Sequence, residues 1–164
     1  MKKIIVLIVL AVSLFGGVSK GDKAVDFKLK TLDASASYKL SDFRGEVVLL
    51  NLWASWCGGC KKEMPEFFEL QNEYKNGFKI ITVNIDKSSA DAISFMSSVE
   101  KTLSYKTPFV SLYDAKKTVP RKYGARGMPS SYLIDKNGVV QLVMVGSLSH
   151  NDIAELKIEI DKLK

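Results

Sequence analysis

The sequence predicts an α/β fold, a central mixed β-sheet flanked on both faces by helices in three layers. Three observations lead to it. Two apolar runs, "EVVLLNLWA" and "FKIITVNID", carry hydrophobic residues at successive positions, the pattern of strands buried on both sides. Stretches of helical period separate these runs from each other and from a third strand, so the strands are covered by helices. Near the C-terminus two alternating runs joined at "DKNG" read as an antiparallel hairpin, which makes the sheet mixed.

The elements follow in order. "AVDFKLKTLDASASYKLSDFRGE" sets Phe27, Leu29 and Leu32 among polar residues and reads as a short hairpin with a polar turn at Asp33 to Ser37. The buried strand Val47, Val48, Leu49, Leu50 and Leu52 comes next. From Gly58 to Lys75 the period is helical, with Met64, Phe67, Phe68 and Leu70 on one side and lysines and glutamates on the other. Beyond the second buried strand, "SSADAISFMSSVEKTL" opens on the cap-like Ser88 and Ser89, with helical spacing at Ile93, Phe95, Met96 and Val99. "PFVSLYD" is a short strand, and "AKKTVPRKYGA" a short helix broken by Pro120 and stopped by Gly124. After the "SSYLIDKNGVVQLVMVG" hairpin, "SHNDIAELKIEIDKLK" closes the chain as an amphipathic helix with Ile153, Leu156 and Ile160 on one face. There is no internal repeat, and 164 residues suit one domain with its own core.

The first residues stand apart. "MKK" is followed by "IIVLIVLAVSLF" and then by the small residues Gly17 and Ser19, the pattern of a secretory signal cleaved before Lys20. The rival is a retained membrane anchor: Ile4 to Val18 would make about 22 Å of helix against about 30 Å of hydrocarbon. Either way the chain divides into a leader at 1–19 and a domain at 20–164. Both readings place the domain outside the cytoplasm, in the periplasm or on the outer face of the cytoplasmic membrane, with membrane association through the leader in the second. At 46% hydrophobic and 26% charged residues the composition is that of a folded globular protein, not a disordered one. The net charge of +6 is spread along the chain and not gathered into a stripe with aromatics, so no nucleic-acid partner is expected.

Chemistry centres on "NLWASWCGGCKKEMPEF", which holds both cysteines of the chain, Cys57 and Cys60. Zinc sites, structural disulfides and redox dithiols all use this spacing. A closed zinc site needs four N or S ligands, and the chain has two cysteines and one histidine, His150. Copper would need only the two thiolates and His150, provided His150 came near Cys57. A disulfide across two residues closes almost no loop and stabilises little.

A redox dithiol fits best. Cys57 lies where strand passes into helix, and there the free amides and the dipole favour an anion. Such placement lowers a thiol pKa from about 8.5 to between about 3.5 and 7.5. Cys60, one turn inside the helix, would be the more buried. Cys57 therefore attacks and Cys60 resolves the mixed disulfide. Gly58 and Gly59 put no side chain over the sulfurs. This reading calls for no metal and no cofactor.

Trp56-Cys57-Gly58-Gly59-Cys60-Lys61, Pro65 in the following helix, and Gly127-Met128-Pro129 before a strand-turn-strand resemble the thioredoxin superfamily. Together with the leader, they are most similar to its membrane-linked bacterial branch containing TlpA, ResA and the cytochrome c maturation thioredoxins. The resemblance runs from about Ala24 to the C-terminus. It implies a thioredoxin-like fold with an N-terminal hairpin and a helix-strand insertion near Asp91 to Lys101 and Phe109; Tyr105 and Phe109 in that insertion would be core or contact residues.

The resemblance also implies a site. Cys57 would be the nucleophile, Cys60 the resolving thiol and Pro65 the proline that kinks the active-site helix. Trp56 would be the aromatic that shields the nucleophile, Pro129 a cis-proline facing the dithiol, and Met128 the residue whose backbone meets the substrate peptide. Asn51 stands where cytoplasmic thioredoxins carry a buried acid, and an asparagine cannot accept a proton. Glu63, three residues after Cys60, occupies the glutamate position of the ResA-like branch and is the candidate proton relay. The implied activity is extracytoplasmic thiol-disulfide exchange. It would reduce disulfides in secreted or membrane-facing proteins such as apocytochrome c or copper-delivery proteins, with electrons from a membrane thiol carrier. A copper-binding module using the two thiolates, or a disulfide-forming oxidase, are the alternatives.

Overall fold

The computed structural model describes residues 17–164. Most of the leader therefore lies outside the described residues. Among the described residues no helix is long and apolar enough to cross a membrane.

Seven strands form one sheet: β1 (Lys28–Thr31), β2 (Ser37–Lys39), β3 (Val47–Trp53), β4 (Phe78–Asn84), β5 (Val110–Tyr113), β6 (Ser130–Ile134) and β7 (Val140–Val145). Among the described residues four α-helices accompany them: α1 (Gly58–Glu73), α2 (Ser89–Leu103), α3 (Thr118–Tyr123) and α4 (His150–Leu163). The strand order is β2-β1-β5-β4-β3-β6-β7. Strands β3, β4 and β5 run parallel to their neighbours among themselves, and β1, β6 and β7 pair antiparallel. The mixed sheet expected from the sequence is thus present. The inserted strand β5 joins the N-terminal hairpin to the parallel centre.

Strand β3 explains why the sheet needs two helical layers. All seven of its residues are buried. Successive side chains point to opposite faces, so Val47 and Leu49 join one core with Met64, Phe67 and Phe68 of α1, Met96 of α2 and Leu156 of α4. Val48, Leu50 and Leu52 enter the other core with Phe27, Val119, Tyr123 and Tyr132. Asn51 shares the α1 face, which places a polar side chain in the middle of an apolar layer.

Local details correct the expectations at three points. Pro120 does not break its helix: it is the third residue of α3, where the helix has no amide bond to lose, and Gly124 closes that helix with φ +62°. Ile93 was expected on the buried face of α2 but is 38% exposed. The buried stripe keeps the expected Met96 and Val99, with Ala92 in place of Ile93. A 3-10 turn at Leu40–Phe43 carries the chain from the hairpin to β3, where the sequence pattern signalled no element.

The hairpin turn behaves as its residues require. Gly138 takes φ +78° and donates to the carbonyl of Asp135, as an Asn-Gly turn should. The insertion packs on α1. Phe68 meets Phe109 edge-on at 5.1 Å and Tyr105 at 5.6 Å between ring centroids, so these two aromatics anchor the insertion to the active-site helix.

Candidate active site

Strand β3, in the interior of the sheet, ends at Trp53, a tight turn follows, and α1 begins at Gly58. Cys57 is the N-cap of that helix, with extended backbone. Its amide donates to the Ala54 carbonyl, and its Sγ accepts from the Cys60 amide at 3.1 Å. The sulfur thus takes the place a serine or aspartate oxygen fills at an ordinary helix start, receiving a free amide of the first turn. Cys57 and Cys60 form a disulfide. Cys57 is 7% exposed and Cys60 is fully buried, which is the asymmetry expected of an attacking and a resolving thiol.

The turn before Cys57 is held from β4. Asp86, buried just past the end of that strand, accepts the Ser55 amide on both carboxylate oxygens at 3.1 Å. Asn84 donates to Asp86 at 3.0 Å and takes the Asp86 amide on its own carbonyl. This clamp fixes the loop that presents Trp56 and Cys57. The sequence reading missed both residues; the signal was a polar pair closing an otherwise apolar strand.

Glu63 lies one turn beyond Cys60 on α1 and is almost fully buried. Its Oε1 accepts from Asn51 Nδ2 at 2.9 Å and its Oε2 from the Leu148 amide at 3.3 Å. Burial pushes its carboxyl up to about 7, outweighing the two hydrogen bonds that favour the charged form. Asn51 also donates to Ser131 Oγ at 2.9 Å, while its Oδ1 is buried without a partner among the described residues. Asn51 therefore orients Glu63.

The Met128-Pro129 bond is cis. Pro129 closes on the dithiol turn: a Cβ added to Gly59 would lie 3.3 Å from Pro129 Cδ and 3.1 Å from Ser147 Cβ. Ser147 Oγ donates to the Gly59 carbonyl. A side chain at Gly59 would therefore press on both neighbours, whereas Gly58 faces open space. Ser147 and Leu148 touch the site from the loop after β7, one of them through its amide alone, which no residue type announces.

Met128 is partly buried between the two cores, and its amide and carbonyl take no hydrogen bond among the described residues. Trp56 is 65% exposed. Trp56 and Met128 line one groove together. His150 begins α4, capped by Ser149. Among the described residues no group of three or more His, Cys, Asp or Glu side chains is placed to hold a metal.

An N-cap dithiol on the active-site helix, a cis-proline against its turn and a buried carboxyl one turn on define a thioredoxin-like thiol-disulfide oxidoreductase. The similarities to known proteins agree. The chain is 35% identical over 148 residues to the thioredoxin-like protein YneN of Bacillus subtilis, covering 88% of this chain and 82% of that one. It is 34% identical over 139 residues to the thiol-disulfide oxidoreductase ResA of Geobacillus thermodenitrificans, covering 84% and 76%. A crystal structure from Chlorobium tepidum that carries the name thiol:disulfide interchange protein DsbE superposes with a TM-score of 0.79 at 38% identity, covering 90% of this chain and 99% of that one. The chain belongs to the AhpC/TSA family, whose model matches residues 20–143.

Proposed function

We propose that this oxidoreductase reduces disulfides in secreted or membrane-facing proteins, with Cys57 as nucleophile, Cys60 as resolving thiol and Glu63 as proton acceptor. The observation that carries the reading is Glu63: a buried carboxyl one turn from Cys60, raised to about 7, that can take a thiol proton near neutral pH.

The reduced protein begins the cycle. The Cys57 thiolate attacks one sulfur of a substrate disulfide, the substrate S–S bond breaks, and the other substrate sulfur leaves as a thiolate. Cys60 then gives its proton to Glu63 and attacks Cys57 Sγ. The mixed disulfide breaks, the second substrate sulfur leaves, and the Cys57-Cys60 disulfide forms. Two electrons pass to the substrate, which is released as a dithiol after taking up protons. A membrane dithiol carrier returns the two electrons to the protein. Met128, with its free amide and carbonyl beside Pro129, pairs with the substrate backbone, and Trp56 covers the face next to the attacking sulfur. The apolar leader supports a position outside the cytoplasm, with the domain at 20–164 either released or held at the membrane.

Cys60→Ser should trap a mixed disulfide through Cys57, and Cys57→Ser should trap none. The reduction potential decides direction. A value near about −270 mV supports the reductase, and one near about −120 mV makes the protein an oxidase.

A further inference from the structure

A groove of about 660 Å³ opens beside the dithiol between Trp56 and the Gly124–Met128 segment that leads to Pro129. Its apolar lining is Trp56, Ile85, Pro120 and Met128. Its polar lining is of one sign: Lys117 and Arg121 of the α3 region and Arg126 of the following loop, all exposed, with no carboxylate among the lining residues. None of the three cations belongs to an ion pair among the described residues, where the ion pairs are Lys106–Glu100, Lys157–Glu73 and Lys162–Glu159.

The backbone turn accounts for the placement of Lys117, whose amide donates to the Asp114 carbonyl at 2.9 Å, but not for three same-sign side chains on one groove. Arg121 stands inside the short helix α3 and Lys117 precedes it, so two cations line one wall of the groove with no carboxylate among the lining residues to offset them. Lys117 is the residue before the first helical position, where the dipole disfavours a cation. It also takes φ +53°, a left-handed conformation that costs a side-chain-bearing residue. An anionic partner lying in the groove would relieve the repulsion and meet Trp56 and Met128 with its apolar atoms.

We propose that this groove selects protein substrates whose disulfide is flanked by aspartates or glutamates. The inference rests on the redox reading above and adds a substrate class to it. The acidic flank lies along Lys117, Arg121 and Arg126 while the substrate disulfide meets Cys57. Charges at the rim of a binding surface act mainly on encounter and orientation, so the preference is read in kcat/KM and weakens with salt.

The test uses three peptides with the same cysteine-pair disulfide, flanked by aspartates, serines or lysines, together with oxidised mercaptoethanol as a small neutral disulfide. At low ionic strength the reduced protein should turn over the aspartate peptide about tenfold faster than the lysine peptide in kcat/KM, and the ratio should fall with added salt. Lys117→Glu/Arg121→Glu/Arg126→Glu should invert the order, and Arg121→Ala/Arg126→Ala should shrink it. Each ratio is internal to one variant, so a general loss of activity cancels. Equal rates for the peptides, or an order unchanged in the charge-reversed protein, overturn the proposal while reduction of oxidised mercaptoethanol keeps the redox reading. If that small disulfide is not reduced either, both fall. Equal peptide rates accompanied by binding to phosphatidylglycerol vesicles that the charge-reversed protein loses would overturn it in favour of a membrane-facing surface.

Discussion

Asn51 Nδ2 lies 2.9 Å from Glu63 Oε1, and both side chains are buried, so the centre of the sheet hydrogen-bonds the carboxyl that α1 presents one turn beyond Cys60. The asparagine cannot accept a proton itself, but it holds the carboxyl proposed to do so. The same amide reaches Ser131 on the neighbouring strand β6, which ties helix, central strand and hairpin into one polar contact within an apolar layer.

Glu63→Gln keeps the shape and removes the carboxyl proposed as proton acceptor. The release of substrate from the Cys57 mixed disulfide should slow about a hundredfold at neutral pH, the lower range of a lost general base. The wild-type rate should show an inflection near pH 7 that the variant lacks. Single-turnover reduction of a disulfide peptide across pH measures both. An unchanged inflection would assign the titration to another group.

The same carboxyl sets a pH dependence of stability in the oxidised protein. Its folded value, about 7, lies above its ordinary 4.5, so the folded state binds the proton more tightly than the unfolded state. Stability from this group is complete below pH 4.5 and is lost as pH rises to about 7, by about 3 kcal/mol in all. Denaturant unfolding at pH 5 and pH 8 should show most of that loss in the wild type and a much smaller one in Glu63→Gln.

Asp86→Ala removes the acceptor of the Ser55 amide and should cost about 1–3 kcal/mol. Asp86→Asn keeps a carbonyl oxygen for that amide. Hydrogen exchange at Ser55 should therefore accelerate strongly in the alanine variant and only mildly in the asparagine variant. Equal exchange in both would show that the loop is held elsewhere.

Phe68 is fully buried between α1 and the insertion, against Phe109 and Tyr105. Phe68→Ala should destabilise the protein by about 3–5 kcal/mol through lost burial and the cavity left behind. The denaturation midpoint should fall without loss of cooperativity. A cost below about 1 kcal/mol would mean that the insertion is not docked through this side chain.

Periodicity by itself determined much of this protein. The doubly buried runs at β3 and β4 dictate a covered sheet because a strand apolar on both faces is stable only between two layers. The Asn-Gly turn dictates the last hairpin because its glycine accepts positive φ. The position of Cys57 at a strand-helix junction was likewise legible, since local chemistry places a sulfur among free amides there. On α2 the expectation held at Phe95, Met96 and Val99 and failed at Ile93, where the smaller Ala92 is the residue buried.

What the tertiary structure alone decided is every contact between residues distant in sequence. The Asn51–Glu63 bond, the contact of Ser147 with Gly59, the Asp86 clamp on Ser55 and the one-signed groove all join separate elements. No short-range pattern encodes them, because a hydrogen bond or a close approach across the sheet depends on where the whole chain folds and not on the spacing of its neighbours.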